Sequence, residues 1–195
     1  MDAREFWDSQ AATFDEEPDH GLRDEAVRGA WGRLLLGLLP PGPARIADLG
    51  CGTGTLSLLL AQAGHAVTGV DVAPRMVEAA RVKTRDVRPT ATFVVGDVSA
   101  PPLPPGSFDV VLSRHVLWAM PDPAAALPRW LKLLRPRGLL LLIEGRWSTG
   151  SGLTADQVSD LVRTHRREVV VRRLEDPQLW GHPIDDERFL IISPG

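Results

Sequence analysis

The sequence predicts a doubly wound α/β fold built on a mostly parallel seven-stranded sheet, with an antiparallel pair of strands at its C-terminal edge. Three observations carry this. Short apolar strand signals alternate with helix signals through the middle of the chain. A glycine-rich turn joins the first strand to the helix after it. Near the end, two strand signals follow each other with no helix between them.

Leu22, Ala26, Val27, Ala30, Trp31, Leu34, Leu35 and Leu38 recur at helical spacing, and Pro40, Pro41 and Gly42 stop the stripe. A shorter helix is expected over 5–13. Strands are expected at 45–49, 66–70, 91–95, 108–112 and 139–144. Helices at 55–64, at 74–83 with Pro at its first turn, and at 124–134 with Pro128 bending its first half fall between them. A helix at 155–164 precedes strands at 168–174 and 188–192. Prolines in 100–106 remove backbone donors and make that run a surface connection.

The 195 residues are 44% hydrophobic and 24% charged, enough for one sizeable core and a single domain. A net charge of -3 argues against a broad nucleic-acid-binding surface. Cys51 is the only cysteine, so no internal disulfide forms. The N-terminus lacks the basic-then-apolar pattern of a signal peptide, and no run reaches the roughly 18 apolar residues of a membrane span. A cytoplasmic protein is the simplest expectation.

The decisive segment is Ala47-Asp48-Leu49-Gly50-Cys51-Gly52-Thr53-Gly54-Thr55, between the first strand and its helix. Alternate glycines let the backbone turn sharply and approach a ligand, and the helix start offers free N–H groups to a carboxylate or a phosphate. The dinucleotide fingerprint Gly-x-Gly-x-x-Gly is not met: from Gly50, its last position falls on Thr55. Asp71, at the end of the second strand, is placed to accept hydrogen bonds from two ribose hydroxyls.

This pattern, Asp48-x-Gly50-x-Gly52-x-Gly54, resembles the first motif of class I S-adenosylmethionine-dependent methyltransferases. The resemblance continues through Asp71-Val72-Ala73-Pro74-Arg75-Met76, Gly96-Asp97-Val98 and 106–118, and covers about residues 40–145. Phe6-Trp7-Asp8 and Phe14-Asp15 resemble the family's variable cap, with Phe14 where many members carry Tyr. The resemblance implies a Rossmann-like domain with a helical cap (1–43), a cofactor-binding core (44–145) and a C-terminal helix with edge strands (146–195). It implies S-adenosylmethionine as cofactor, S-adenosylhomocysteine as product, Asp97 on the adenine amino group, and Val72, Met76 and Val98 as walls. Asp48, Gly50, Cys51, Gly52, Gly54, Asp71, Ser113 and Arg114 complete the expected cofactor set.

Ligands in such sheets sit beyond the carboxyl ends of the strands. That places Ser113, Arg114, His115 and Trp118 after the fourth strand, and Glu144, Arg146 and Trp147 after the fifth, at the acceptor. His115 is the candidate general base, since histidine titrates near neutrality. Trp118, Arg146 and Trp147 are candidate acceptor contacts; Arg114 and Arg146 suit an anionic substrate or pair with acids. His20 and His182 are candidates for the mouth, His65 and His165 read as solvated or helix-end residues, and Cys51 as loop packing. No metal site is expected. The expected partner is a small-molecule methyl acceptor, in a pocket left open or completed by a second subunit as a homodimer. Rival readings are a nucleic-acid or protein methyltransferase, a non-catalytic cofactor-binding regulatory protein, and a nicotinamide oxidoreductase. The first lacks the Pro-Pro-Tyr/Phe motif after the fourth strand.

Overall fold

The structure is a computed structural model that describes residues 2–88 and 91–195. A cap of α1 (Ala3–Gln10), α2 (Pro18–Gly21) and α3 (Glu25–Leu36) leads into β1 (Arg45–Leu49), α4 (Thr55–Gln62), β2 (Ala66–Asp71), α5 (Pro74–Thr84) and β3 (Thr92–Val95). Next come β4 (Phe108–Arg114), α6 (Pro123–Lys132), β5 (Leu134–Arg146), α7 (Ala155–Arg163), β6 (Val170–Arg173) and β7 (Glu187–Ser193). The seven strands order as β3-β2-β1-β4-β5-β7-β6. The first five run parallel, and β7 lies antiparallel to both β5 and β6.

Strand alternation divides the apolar residues between two faces. Ile46, Leu141 and Ile143 pack with Trp31, Leu35, Leu60 and Val77 of α3, α4 and α5. Ala47, Leu140 and Leu142 pack with Leu127, Trp130, Val158 and Val162 of α6 and α7. Buried indoles need a hydrogen-bond acceptor. Trp31 Nε1 donates to the Leu179 carbonyl at 2.7 Å, Trp130 to Val98 at 2.7 Å and Trp180 to Leu174 at 2.9 Å. These bonds tie the helices and the C-terminal connection to the loops at the sheet's carboxyl edge.

The elements differ from the sequence expectation in a few places. Leu22 is not part of the α3 stripe: it is the left-handed C-cap of α2, with φ 47°, and Asp24 caps α3 through the Ala26 and Val27 N–H groups. β4 runs on through Ser113 and Arg114, and β5 begins at Leu134. Pro128 sits inside α6 without ending it. His65 is not solvated. It is buried, and its Nδ1 accepts from the Ala44 N–H at 3.1 Å, which fixes the entry to β1.

β1 pairs with β2 on one side and β4 on the other, so the chain's direction of winding reverses there and a crevice opens at their carboxyl ends. The helix that starts in this crevice, α4, has Gly54 as its N-cap, at φ 75°. A Cβ at Gly54 would lie 2.7 Å from the Ala80 Cβ, so its bareness lets α4 and α5 close. Gly54→Ala should therefore cost about 2–4 kcal/mol, combining backbone strain with overpacking. Gly64→Ala, at φ 92° with open space around it, should cost only about 1 kcal/mol. Urea unfolding of both variants checks the contrast.

Candidate active site

The glycine turn is held from below by β2. Gly50 and Cys51 both donate to the Val70 carbonyl, at 2.8 and 3.1 Å. Asp71 closes the turn, accepting from the Gly52 N–H at 2.8 Å and the Ala73 N–H at 2.9 Å. Burial raises its pKa, against the pull of these N–H groups. Asp48, at the end of β1, accepts from Ser57 Oγ at 2.6 Å, and burial pushes it up to about 6.

The three glycines of the turn have different surroundings. Gly50 faces Val116 so closely that any side chain would collide with it. Gly52 faces Phe14 of the cap. Gly54 faces α5 and lies outside the cavity lining. Cys51 packs against the core, and burial raises its thiol well above the ordinary value.

A cavity of about 580 Å³ fills the crevice. Asp48, Gly50, Cys51, Gly52, Asp71, Val72, Met76, Asp97 and Val98 line one end. Asp97 is exposed and accepts from the Ser99 N–H at 2.8 Å and Ser99 Oγ at 2.9 Å. His20, Arg114, His115, Trp118, Trp147, His182 and Arg188 also line it. Trp118, Trp147, His182 and Arg188 also line a second cavity of about 490 Å³, bounded by the loops around Ser148 and Asp185.

Two expected residues do not reach either cavity, in addition to Gly54. Ser113 is wholly buried between β1 and β4, its hydroxyl donating to the Leu49 carbonyl at 3.0 Å. Arg146 is exposed and donates to the Gly152 carbonyl at 3.3 Å, so it is a loop brace. Arg188 takes the place expected of Arg146. It is held by Asp186 through two hydrogen bonds, at 2.7 and 2.9 Å, and lies over the Trp147 and Trp180 rings. No local signal marks it, because the antiparallel return of β7 is what brings it to the site. Arg114 lines the cavity, donates to the Asp19 carbonyl at 2.5 Å and stacks on Trp31.

The cap is fastened over the turn by polar bonds. Lys83 Nζ reaches Asp15 at 2.7 Å, Thr53 Oγ1 at 2.9 Å and Thr55 Oγ1 at 2.7 Å, and Thr53 Oγ1 also meets Asp15. Asp8 accepts from the Arg75 N–H at 2.8 Å and so caps α5 from outside, where Ala73 offers no side-chain acceptor. Phe14 stacks on His20 at 4.3 Å.

At the other end, His115 has φ 57° and is pinned on both sides. Its N–H donates to Ile143 at 2.8 Å, and its carbonyl accepts from Trp118 Nε1 at 2.9 Å. The ring stacks on Trp180 and meets Trp147 edge-on, and its Nε2 is buried with no partner among the described residues. Burial, then the charge of Arg114, holds its pKa well below the usual histidine value. The loop after it is clipped by Glu144, whose Oε1 accepts from the Val116 and Leu117 N–H groups at 3.0 and 2.7 Å. Burial raises Glu144 to about 8.

A glycine turn closed by an acid at the end of β2, with a second acid after β3, defines an α/β protein of the nucleoside-cofactor-binding class. Residues 47–142 match the methyltransferase domain family, and the chain belongs to the class I S-adenosylmethionine-dependent methyltransferases. It is 34% identical over 143 residues to a ubiquinone biosynthesis O-methyltransferase of Xanthomonas campestris pv. campestris, covering 72% of this chain and 56% of that one. It is 40% identical over 155 residues to a 2-methyl-6-phytyl-1,4-hydroquinone methyltransferase of Synechocystis, covering 78% and 44%. The chain thus spans about half the length of these relatives. Magnesium protoporphyrin IX methyltransferase of Synechocystis, solved with bound SAM, shares the fold at TM-score 0.65 and 23% identity, over 85% of this chain and 76% of that one.

Glu144→Gln isolates the raised carboxyl. A group neutral in the fold but ionised when unfolded loses stability as pH rises from its ordinary pKa to its folded one. Relative to the Gln variant, the native protein should lose roughly 1 kcal/mol per pH unit across that window, then run level above about 8. Urea titrations at several pH values check this.

Proposed function

We infer that the protein transfers the methyl group of S-adenosylmethionine to an oxygen or nitrogen of a small molecule by in-line displacement. The observation that carries this is the single cavity joining the glycine turn and its acids to an aromatic, histidine-bearing end. The sulfonium supplies the activation, and the protein supplies alignment and a dry site.

In this reading Asp71 accepts from the ribose hydroxyls, Asp97 from the adenine amino group, and Val72, Met76 and Val98 flank the ring. Arg114, with no carboxylate salt bridge among the described residues, faces the amino-acid carboxylate of the cofactor. Trp118 and Trp147 form the floor for the acceptor, and the second cavity is its approach. Both curated relatives are named for work on quinone or hydroquinone compounds, which agrees with an aromatic acceptor. His115 Nε2, without a partner among the described residues and neutral, accepts the proton of the incoming nucleophile.

Calorimetry should show binding of S-adenosylmethionine and S-adenosylhomocysteine and none of NAD. Asp71→Ala should weaken the cofactor by at least about tenfold, through loss of charge-assisted hydrogen bonds. NAD binding in preference to S-adenosylmethionine would sink the reading.

With an acceptor in hand, His115→Gln should lower turnover by about 10²-fold, the low end for a general base, because the ring is a weak one. The acid limb of the native pH profile should lie well below pH 6.5, since only the neutral ring accepts a proton. Near-native turnover in His115→Gln would remove the proton-accepting role.

A further inference from the structure

We propose that Asp19, His20 and His115 form a site for one divalent first-row transition-metal ion at the acceptor end of the cavity. Their ligand atoms all lie within 4.8 Å of one another. An ion with bonds of about 2.1 Å holds neighbouring ligands roughly 3–3.5 Å apart, so a small side-chain adjustment closes the site. Two imidazoles and one carboxylate suit Zn²⁺ or Fe²⁺ and not the all-oxygen shells of Mg²⁺ or Ca²⁺.

Independent features point to a ligand here. His115 Nε2 is a buried lone pair or N–H with no partner among the described residues, a costly arrangement without one. Both imidazoles are already oriented, His115 between Trp180 and Trp147 and His20 against Phe14. A Phe14 backbone hydrogen bond also engages the His20 ring. Such outer contacts fix ring orientation in metal sites. Burial lowers the pKa of both rings and keeps them in the neutral form that ligates. Two guanidiniums lie nearby, and both are offset. Asp186 holds Arg188, and Arg114 lies in the field of Asp19, Asp48 and Asp15.

Asp19 and His20 come from the cap and His115 from the loop after β4, so the ion would staple cap to core. Its remaining positions face the cavity, where an acceptor oxygen would bind the ion rather than His115 itself. That last point rests on the methyl-transfer reading. Binding of the ion does not, and the test reads binding alone, so either can fail without the other.

The full chain, stripped with EDTA, is titrated with Co²⁺ and followed by its visible d–d bands. One equivalent per chain is expected, displaced by Zn²⁺. His20→Ala and His115→Ala should each weaken Co²⁺ by at least about 100-fold, the upper range seen for outer-shell losses alone. His165→Ala, at an exposed position, should bind as the native chain does. Should a variant misfold, the native chain still decides. About 100 µM Zn²⁺ should raise its melting temperature, reversed by EDTA, and protect cap residues 2–24 from proteolysis. No saturable Co²⁺ band, binding unchanged in both histidine variants, or no Zn²⁺ effect on melting and proteolysis overturns the proposal.

Discussion

The arrangement depends first on one carboxylate. Asp71 bridges the Gly52 and Ala73 N–H groups, and so joins the turn after β1 to the turn after β2. A buried carboxylate is costly unless hydrogen-bonded, and these two donors are what make Asp71 tolerable inside. In return the glycine turn has one conformation. Phe14 can then lie over Gly52, Val116 can press against Gly50, and α4 can start where Gly54 lets α5 approach. Loosening that bridge would free the floor of the cavity and the seat of the cap together.

The aromatic end is built on a different principle. Its rings do not merely cover apolar surface; they hold charged and polar groups in orientation. Arg188 is fixed by Asp186 and laid over Trp147 and Trp180, and the same two rings confine His115. Cation–π contact and stacking suit this task because they restrain direction without consuming hydrogen-bond capacity. Glu144 works from beneath, holding the loop after His115 by its backbone, so neither side of that loop is left to side-chain packing alone.

Much of this was legible in the chain because its signals are local. Strand–turn–helix periodicity located β1, β2 and their helices, and the edge pair followed from two strand signals without a helix between them. Asp71 and His115 fall at the cavity as their positions at strand ends required, and Asp97, Val72 and Met76 as the family resemblance implied. Two of the misplacements share a cause. Ser113 and Arg146 lie within strands that run longer than apolar patterning shows, so which side each faces is decided by strand register. Arg188, Asp19 and the Lys83–Asp15–Thr53 bonds join segments remote in sequence. Nothing local distinguishes such residues from ordinary surface charges.

The cap's attachment has a consequence for how this scaffold can change. Its polar hold at the glycine turn and α5 runs through Lys83, Asp15, Thr53, Thr55 and Asp8. The walls at the opposite end belong to Trp118, Trp147 and the segment near Asp185. These fastening residues and the walls of the second cavity are separate sets. Substitutions at Trp118, Trp147 or near Asp185 leave that part of the fastening intact. On the methyl-transfer reading proposed above, such a division lets one framework explore many acceptors in evolution while its grip on a common donor molecule stays constant.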